Sequence, residues 1–454
     1  MSFASFDFLI FLSLFFISIF FFNKHWKIVT ILYSLFFYSY WNYLLCSLLV
    51  FTVLHTYVIG NLISRNRISS KKYLFLGIFI SLSILFVFKY FNFFVADIVN
   101  INLDGTVFER IILPIGISFY TFQSISYLVD VYYKKSEPTT LTNLFVFLCF
   151  FPQLIAGPIV RASKFIPQIK RGLNININNF KKGLLLILWG YFLKLCVSNN
   201  LDLYISSVYN YIDESNTPTL IISSLFYSFL IYADFCGYSS IAIGILKILG
   251  FNIPANFLTP YFSKNLTDFW RRWHISLSSF LKDYLYIPLG GSRKNLFFTL
   301  RNILIVMTLG GLWHGASLNF VIWGFFHGII LSIEKILKNL KIKFLILRNI
   351  YTFILVSVLW IPFSLKDFSE LKSYINIFKI SEIANFSQII EKFYVIQNFF
   401  IILLLIFFDL LLTKKNFIII KNNYFFFGFS LTIIIGLILT FGIYDEKKFI
   451  YFQF

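Results

Sequence analysis

The chain has 454 residues, of which 58% are hydrophobic and only 13% charged, and its formal net charge is +19. A soluble protein carries about a quarter charged residues, so this composition excludes an ordinary soluble globular protein. Its apolar residues come in runs that approach the length of a membrane-spanning helix, whereas a β-barrel needs short alternating segments. We therefore predict an all-α polytopic membrane protein, with a single integral-membrane domain over residues 1–454.

The first apolar run lies at Leu9–Phe22 and could be mistaken for a signal peptide. Asp7 stands where a signal peptide has basic residues, and no small-residue cleavage site follows, so we predict a retained first span. Later apolar runs are Leu74–Phe94, Leu184–Val197, Leu220–Ala233, Phe399–Leu412 and Phe425–Phe441. Counting spans between the charged loops predicts roughly 11 to 13 transmembrane helices.

Lysine and arginine cluster in a few loops, among them Arg65–Lys72, Arg161–Lys182 and Arg271–Arg301. Basic loops of membrane proteins face the cytoplasm, so the charge of +19 needs no nucleic-acid partner. We expect membrane lipids around the chain and no nucleic acid. The four cysteines have no metal-like spacing and are interpreted as small buried residues.

The apolar segment Phe145–Phe165 does not fit this alternation, because basic residues flank it on both sides. Pro152, Gly157 and Pro158 would break a helix there. Broken backbone at membrane depth must be shielded from lipid by protein. The segment therefore favours a re-entrant hairpin, with a kinked span as the alternative.

The passage Phe269–Asn295 is unusually polar and aromatic for this chain. Its apolar residues recur at spacings of three and four, which predicts an amphipathic helix. Tryptophan, tyrosine and basic residues are typical of the membrane–water boundary. A purely interfacial helix without chemistry is one interpretation. The helix should end in a turn around Pro288, Gly290 and Gly291.

Two of the five histidines, His314 and His327, lie in the apolar stretch Thr308–Lys335. If the stretch from Arg301 is helical, His314 lies roughly 20 Å into the bilayer. An ionisable residue at that depth is a functional candidate, since it is rare and costs stability. The alternative is a core histidine that hydrogen-bonds a neighbouring helix, and we favour that alternative for His327.

Polar side chains recur at membrane depth in two further segments. They could line a polar pathway or form interhelical hydrogen bonds. They are Ser118, Tyr120, Gln123, Ser124, Tyr127 and Asp130, then Tyr232, Asp234, Tyr238 and Ser239. The sequence has no zinc motif, nucleophile elbow, Walker loop or dinucleotide fingerprint. A neutral imidazole is the usual group that removes a hydroxyl proton near neutral pH, so the candidate chemistry rests on histidine.

With these residues in view, the chain resembles the membrane-bound O-acyltransferase family, in its bacterial polysaccharide O-acetylase group. The resemblance rests on motifs in the family's order between Leu113 and Gly328, with a similar ending at Phe449–Phe454. The two most specific motifs are WRRWH, which ends at His274, and LWHG, which contains His314. The other matching stretches are Leu113–Tyr132, Phe150–Ile169 and Tyr232–Ile245.

This resemblance implies a ring of helices around a central funnel, together with a re-entrant segment and interfacial helices. It implies that His314 is the catalytic histidine and that His274 is the second site histidine. We expect further residues to contact the substrates: Trp313, Asn319, Gln153, Arg271, Arg272, Trp273 and Arg293. No metal or cofactor is expected, and acetyl-CoA would be the acyl-donor substrate.

The function implied is transfer of acetyl groups across the bacterial inner membrane for O-acetylation of a cell-envelope polysaccharide. We favour peptidoglycan as the polymer, with alginate or another exopolysaccharide as alternatives. The family also implies a periplasmic or membrane-tethered esterase-like acetyltransferase as partner. Two other hypotheses are D-alanyl transfer to teichoic acid and a non-enzymatic polymer or acyl transporter.

Overall fold

Helices account for all the regular secondary structure in the described part of the chain. The computed structural model describes residues 1, 3–101, 105–106, 108, 111–155, 157–337, 345–383, 385, 387, 389, 391–413, 424–444 and 449. No strand occurs among these residues, so the predicted all-α class is confirmed. The chain forms two compact units, residues 1–187 with 241–254 and residues 188–240 with 255–454. The single domain and the central funnel stay predictions.

Among its described residues, the first unit wholly contains eight α-helices. They are α1 Phe6–Phe21, α2 Trp26–Ser39, α3 Tyr43–Arg65, α4 Ser70–Leu85, α5 Ile117–Tyr132, α6 Leu141–Cys149, α7 Phe151–Leu154 and α8 Ala162–Arg171. A short 3₁₀ turn separates α1 from α2, and the two helices are bent by 105°. The side chain of Asn42 begins α3 by accepting a hydrogen bond from the Leu45 amide, the usual N-cap contact.

The predicted re-entrant segment is broken and buried within the first unit. Helix α6 ends before Phe150, and Pro152 lies in the first turn of the short helix α7. Helix α6 packs against α8, so the chain doubles back. Gly157 permits a close approach, because a Cβ there would lie 2.6 Å from the Gln153 Cα. The broken, protein-shielded backbone fits the re-entrant interpretation, and its membrane side stays a prediction.

The second unit holds the remaining helices among the described residues. They are α10 Asn199–Tyr209, α12 Leu266–Arg272, α13 Ile275–Leu281, α14 Leu296–His314, α15 Leu318–Ile336, α16 Leu345–Ser364, α17 Phe368–Ile377, α18 Lys392–Thr413 and α19 Tyr424–Phe441. Two helices, α9 Ile177–Tyr191 and α11 Thr217–Ile248, contain the boundaries between the units. A π-helical segment, Phe192–Ser198, joins α9 to α10.

The structure supports a polytopic membrane protein with fewer full-length spans than the sequence suggests. Among the described residues, eight helices are long and apolar enough to cross a bilayer, or up to nine if the bent pair α1 and α2 forms one span. The part Phe427–Phe441 of α19 is apolar but shorter than these spans. The difference from roughly 11 to 13 arises where apolar sequence folds into short helices. Helix α5, for example, has 16 residues.

The prediction of one continuous amphipathic helix in the passage Phe269–Asn295 was wrong. The chain breaks at Trp273 and His274, between α12 and α13, and becomes π-helical over Lys282–Tyr286. His274 adopts the left-handed conformation with a φ of 41°, which cannot continue an α-helix. The predicted turn follows, and Gly290 and Gly291 both have positive φ.

Candidate active site

His314 is the last residue of α14 and lies in a cage of aromatic rings. The helix ends because Gly315 adopts an extended conformation. The His314 ring meets Trp323 edge-on at 5.2 Å between centroids and Phe363 at 5.4 Å. The neighbouring Trp313 ring lies 5.0 Å away. The His314 side chain is only 3% exposed, so these rings fix its position.

Glycines bring α14 and α15 into backbone contact behind this cage. A Cβ on Gly311 would overlap the Phe320 carbonyl, and one on Gly324 would overlap the Met307 carbonyl. Close approach of this kind is typical of small residues at membrane helix interfaces. The two helices therefore form a tight hairpin with His314 near its turn.

His274 is fully buried and held by hydrogen bonds. Its Nδ1 lies 3.2 Å from the Asn256 Oδ1, and that oxygen also accepts from the Ser276 amide and hydroxyl. The Asn256 amide in turn donates to Ser239 Oγ, which orients the side chain. Because Asn256 presents an oxygen, His274 Nδ1 must be the donor, and the neutral ring then carries its lone pair on Nε2.

Burial keeps the His274 ring neutral. Removal from water lowers its pKa to about 3, because a low-dielectric site disfavours the imidazolium. The edge of Phe235 packs against the ring at 4.6 Å. His274 therefore acts as a neutral donor and acceptor at physiological pH.

The structure brings the two motif histidines together. The ring centroids of His274 and His314 lie 6.2 Å apart, and Trp313 lies 5.9 Å from His274. The two side chains come from segments separated by a turn and a long helix. Two imidazoles at this spacing can act on one bound substrate.

A cavity of about 130 Å³ lies against His314, between α12, α13, α14 and α15. Its lining consists of Trp270, Leu277, Ser278, Leu281, Val306, Met307, Gly310, His314, Trp323 and Leu331. The atoms that face this cavity are almost all carbon. A small ligand in the cavity would therefore present an apolar group to the ring of His314.

Comparison with known proteins identifies the family. The sequence pattern of MBOAT, the membrane-bound O-acyltransferase family, matches residues 31–365, which include both motif histidines. The chain belongs to the membrane-bound O-acyltransferase family. It is therefore an O-acyltransferase.

The names of individual relatives of this O-acyltransferase refer to different acceptor polymers. The chain is 37% identical over 352 residues to the probable alginate O-acetylase AlgI of Pseudomonas putida, covering 75% of this chain and 72% of that one. It is 37% identical over 378 residues to the peptidoglycan O-acetyltransferase of Helicobacter pylori, covering 75% and 71%. It is 28% identical over 274 residues to the teichoic acid D-alanyltransferase of Bacillus subtilis, covering 56% and 67%.

The other predicted site residues of this O-acyltransferase differ in burial. Trp273 is fully buried and packs against Phe269 and Trp360. Arg271 and Arg293 are exposed, whereas Arg272 forms an ion pair of 3.1 Å with Asp268. Their predicted contacts with substrates stay predictions.

Two predicted amide side chains make structural contacts. Asn319 Nδ2 donates to the backbone carbonyls of Leu365 and Asp367 at 3.2 and 2.8 Å, which ties α15 to the segment that precedes α17. Gln153 belongs to the first unit and donates to the Phe147 carbonyl at 2.7 Å. The predicted contact of either amide with a substrate stays a prediction.

His327 and Glu334 dock α12 onto α15 of the O-acyltransferase. The Trp270 indole donates to His327 Nδ1 at 3.2 Å, which agrees with the structural role favoured for His327. The Glu334 carboxylate accepts from the amides of Leu266 and Thr267 at 2.7 and 3.0 Å. These contacts hold the start of α12, whose other end leads directly to His274.

Several of the polar residues predicted at membrane depth form hydrogen bonds between helices. Asp234 accepts from Lys194 at 2.5 Å and from Ser198 at 3.1 Å. In the first unit, Ser124 pairs with Thr56 at 2.6 Å. These contacts support the interhelical alternative at those positions, and the polar pathway stays a prediction.

Asn256 and Phe363 are site residues that sequence reasoning missed. Asn256 lies in a loop before α12, and Phe363 lies in α16. Neither belongs to a motif with a chemical signature, and a single asparagine in a loop has many structural explanations.

Proposed function

We propose that this O-acyltransferase moves acetyl groups from acetyl-CoA on the cytoplasmic side of a bacterial inner membrane for O-acetylation of a cell-envelope polysaccharide. Peptidoglycan is the first acceptor to test. The proximity of His274 and His314, 6.2 Å apart between ring centroids, carries the proposal. It supports a shared reaction site formed by the two family motifs.

In the proposed reaction, His314 acts as a general base. It removes the proton of the acceptor hydroxyl while that oxygen attacks the carbonyl carbon of the thioester. A carbon–oxygen bond forms and the carbon–sulfur bond breaks. The proton then passes from the imidazolium to the departing thiolate, which leaves an ester and a free thiol. A positioned base of this kind contributes about 10²–10⁴-fold.

His274 is proposed to position the donor or acceptor. Its Nδ1 is engaged by Asn256, so the neutral ring offers Nε2 as a hydrogen-bond acceptor. A hydroxyl or amide of a substrate is the group that such an acceptor binds. This role differs from that of His314, because the proton on His274 stays in place through the reaction.

Basic residues near the site suit a phosphate-bearing donor. Arg271, Arg293 and Lys294 are exposed. Arg271 lies in α12, and Arg293 and Lys294 lie in the turn before α14. Arginine and lysine bind phosphate through charge-assisted hydrogen bonds. These residues would hold the phosphates of acetyl-CoA while its thioester reaches His314.

The similarity to known relatives reduces the number of candidate acceptors. Identity is 37% both to an alginate O-acetylase and to a peptidoglycan O-acetyltransferase, and 28% to a D-alanyltransferase. These figures favour acetyl over D-alanyl transfer and leave two polymers to compare. By family resemblance we also propose a periplasmic or membrane-tethered esterase-like acetyltransferase as partner, which would complete transfer to the polymer.

The test uses the purified full chain in lipid nanodiscs with radiolabelled acetyl-CoA. We expect acetyl transfer to water or a model alcohol, and a loss of about 10²–10⁴-fold in His314→Ala. His25 is exposed in the first unit, so His25→Ala is the matched histidine control. Wild-type turnover by a folded His314→Ala protein would end the proposal.

The polymer is tested separately in cells. Mass spectrometry of muropeptides from a deletion strain should show loss of acetyl esters from peptidoglycan. Unchanged muropeptides with loss of acetyl from an exopolysaccharide would move the assignment to that polymer. Loss of D-alanyl esters alone would favour the teichoic-acid alternative.

A further inference from the structure

We propose that a surface of the first unit binds the headgroup of an anionic phospholipid at the cytoplasmic side of the membrane. The cations of this basic surface are those of Lys170, Arg171, Lys182 and Lys247. Beside them lies an apolar edge, which consists of the exposed side chains of Ile175, Ile177 and Phe180. None of these residues belongs to the candidate active site, so the inference goes beyond the proposed function and does not depend on it.

The basic surface lies where two candidate membrane spans end. One span begins at Ile177 and another ends at Ile248. Their backbones touch at this end, because a Cβ on Gly183 would lie 2.6 Å from the Gly244 carbonyl oxygen. The ends of neighbouring spans mark the level of the lipid headgroups, and basic loops face the cytoplasm. The basic surface is therefore at the level of the cytoplasmic headgroups.

Hydrogen bonds join the separate parts of the basic surface. Lys247 Nζ donates to Asn252 Oδ1. The Asn252 backbone exchanges two hydrogen bonds with the side chain of Gln168, at 3.0 and 2.8 Å. Gln168 lies in α8, whose last two residues are Lys170 and Arg171. The end of α8 and the end of α11 are thus held side by side through one asparagine.

The apolar edge is exposed although its backbone is fixed. Ile175, Ile177 and Phe180 are 50%, 59% and 44% exposed. The Asn174 amide donates to the Leu249 carbonyl at 3.0 Å, which ties this loop to the end of α11. Apolar side chains beside lysine and arginine are typical of segments that lie at the boundary between headgroups and acyl chains.

The cations of the basic surface are incompletely neutralised by the protein. Lys182 and Lys247 are close enough to repel each other. Lys170 lies 3.8 Å from the exposed carboxylate of Glu137. Within the described part of the chain, neither Arg171 nor Lys182 forms an ion pair. A phosphate between the two lysines would replace their repulsion with charge-assisted hydrogen bonds.

The two parts of the surface together favour a lipid over a soluble anion. A free phosphate would satisfy the cations and leave the apolar edge in water. An anionic phospholipid carries a phosphate and acyl chains in one molecule, so it meets both parts at once. Basic residues at the cytoplasmic surface of a membrane attract such lipids.

The experiment measures lipid binding to the purified full chain by native mass spectrometry. The probes are phosphatidylglycerol, the zwitterionic phosphatidylethanolamine with the same acyl chains, and soluble glycerol phosphate. Lys182→Gln with Lys247→Gln removes two charges from the basic surface. Lys71 and Lys72 are exposed near the start of α4 in the same unit, so Lys71→Gln with Lys72→Gln is the matched control. Lys182→Gln is also measured alone, because Lys247 contacts Asn252 and its loss can disturb the fold.

We expect the wild type to bind phosphatidylglycerol about tenfold or more tightly than phosphatidylethanolamine. One basic residue near a membrane surface is worth about fivefold in binding. Lys182→Gln should therefore weaken phosphatidylglycerol binding about fivefold and the double variant about 25-fold, whereas the control pair should leave it nearly unchanged.

The apolar edge is tested with a second pair of variants. Ile175→Ser should weaken the binding of both phospholipids, because the side chain no longer contacts acyl chains. Ile68 is 98% exposed in the loop before α4, so Ile68→Ser is the matched control and should change neither affinity.

Three results would overturn the lipid assignment. Equal losses in the two lysine pairs would show attraction to net charge without a site. Equal affinities for the two phospholipids would exclude an anionic headgroup as the selected feature. Tight binding of glycerol phosphate that Ile175→Ser leaves unchanged would assign the surface to a soluble anion. None of these results bears on acetyl transfer, so the proposed function stands or falls separately.

Discussion

His274 and His314 lie 6.2 Å apart, yet their surroundings differ in kind. His274 is held by a hydrogen bond from its Nδ1 to Asn256, which fixes the tautomer. His314 is held by the rings of Trp323 and Phe363 and borders a cavity. The comparison suggests that His274 orients the substrate and that His314 exchanges a proton with it.

The largest expected effect comes from replacing each histidine in turn with glutamine. His314→Gln should lower kcat by about 10²–10⁴-fold, because the proposed general base is lost. His274→Gln should lower activity by roughly tenfold, since one hydrogen bond is worth about 0.5–1.5 kcal/mol and glutamine can still donate to Asn256. Steady-state kinetics with acetyl-CoA measure both. Equal losses in kcat would remove the distinction between the two rings.

The next effect concerns the anchor of His274. Asn256→Ala leaves His274 Nδ1 and the Ser276 amide and hydroxyl without their shared acceptor. Each buried group that loses its partner costs about 1–3 kcal/mol. We expect a lower thermal unfolding midpoint together with reduced activity. Asn252 is exposed in the same loop, and Asn252→Ala should leave both nearly unchanged. A stable and active Asn256→Ala protein would contradict the anchoring role.

The stability of the protein should depend on pH in the acid range because His274 is buried. Its pKa is about 3 in the folded chain and about 6.5 when unfolded, so unfolding between these values takes up a proton. The contribution of His274 to the free energy of unfolding is therefore fully present above pH 6.5 and is lost as the pH falls towards 3. The thermal midpoint should fall less between pH 7.5 and 5.0 in His274→Gln than in the wild type. Parallel pH dependences would show that this ring does not control acid stability.

The smallest expected effect is at the start of α12. Glu334→Ala removes the carboxylate that accepts from Leu266 and Thr267, a loss comparable to that of an N-cap, about 0.5–2 kcal/mol. Glu334→Gln keeps one oxygen acceptor and should recover most of the loss. Thermal unfolding measures the difference. If the two variants are equally destabilised, charge and not hydrogen bonding holds the helix.

The sequence predicted the helical class correctly, because composition carries that information. The family resemblance singled out His274 and His314, and their roles in catalysis stay predictions. The sequence did not predict the break at His274. The apolar spacing from Trp270 to Leu285 continues across the break, and a single left-handed residue leaves no trace in that pattern. Periodicity reports which side chains are buried, and a kinked chain can bury the same set as a straight helix.

The contacts of the site were less predictable, since they join segments distant in sequence. Asn256 reaches His274 from a loop without periodicity, and Glu334 reaches Leu266 from the far end of α15. The cavity arises from four helices, and its volume depends on their packing. Only a three-dimensional arrangement specifies such distances.

The glycine contact between α14 and α15 has a consequence for turnover. The backbones of the two helices touch at Gly311 and Gly324, so sliding or separating them would lose this close contact. His314 thus stands on a rigid side of the pocket. We therefore expect any opening of this pocket to occur on the opposite side, where α12 and α13 meet at a kink.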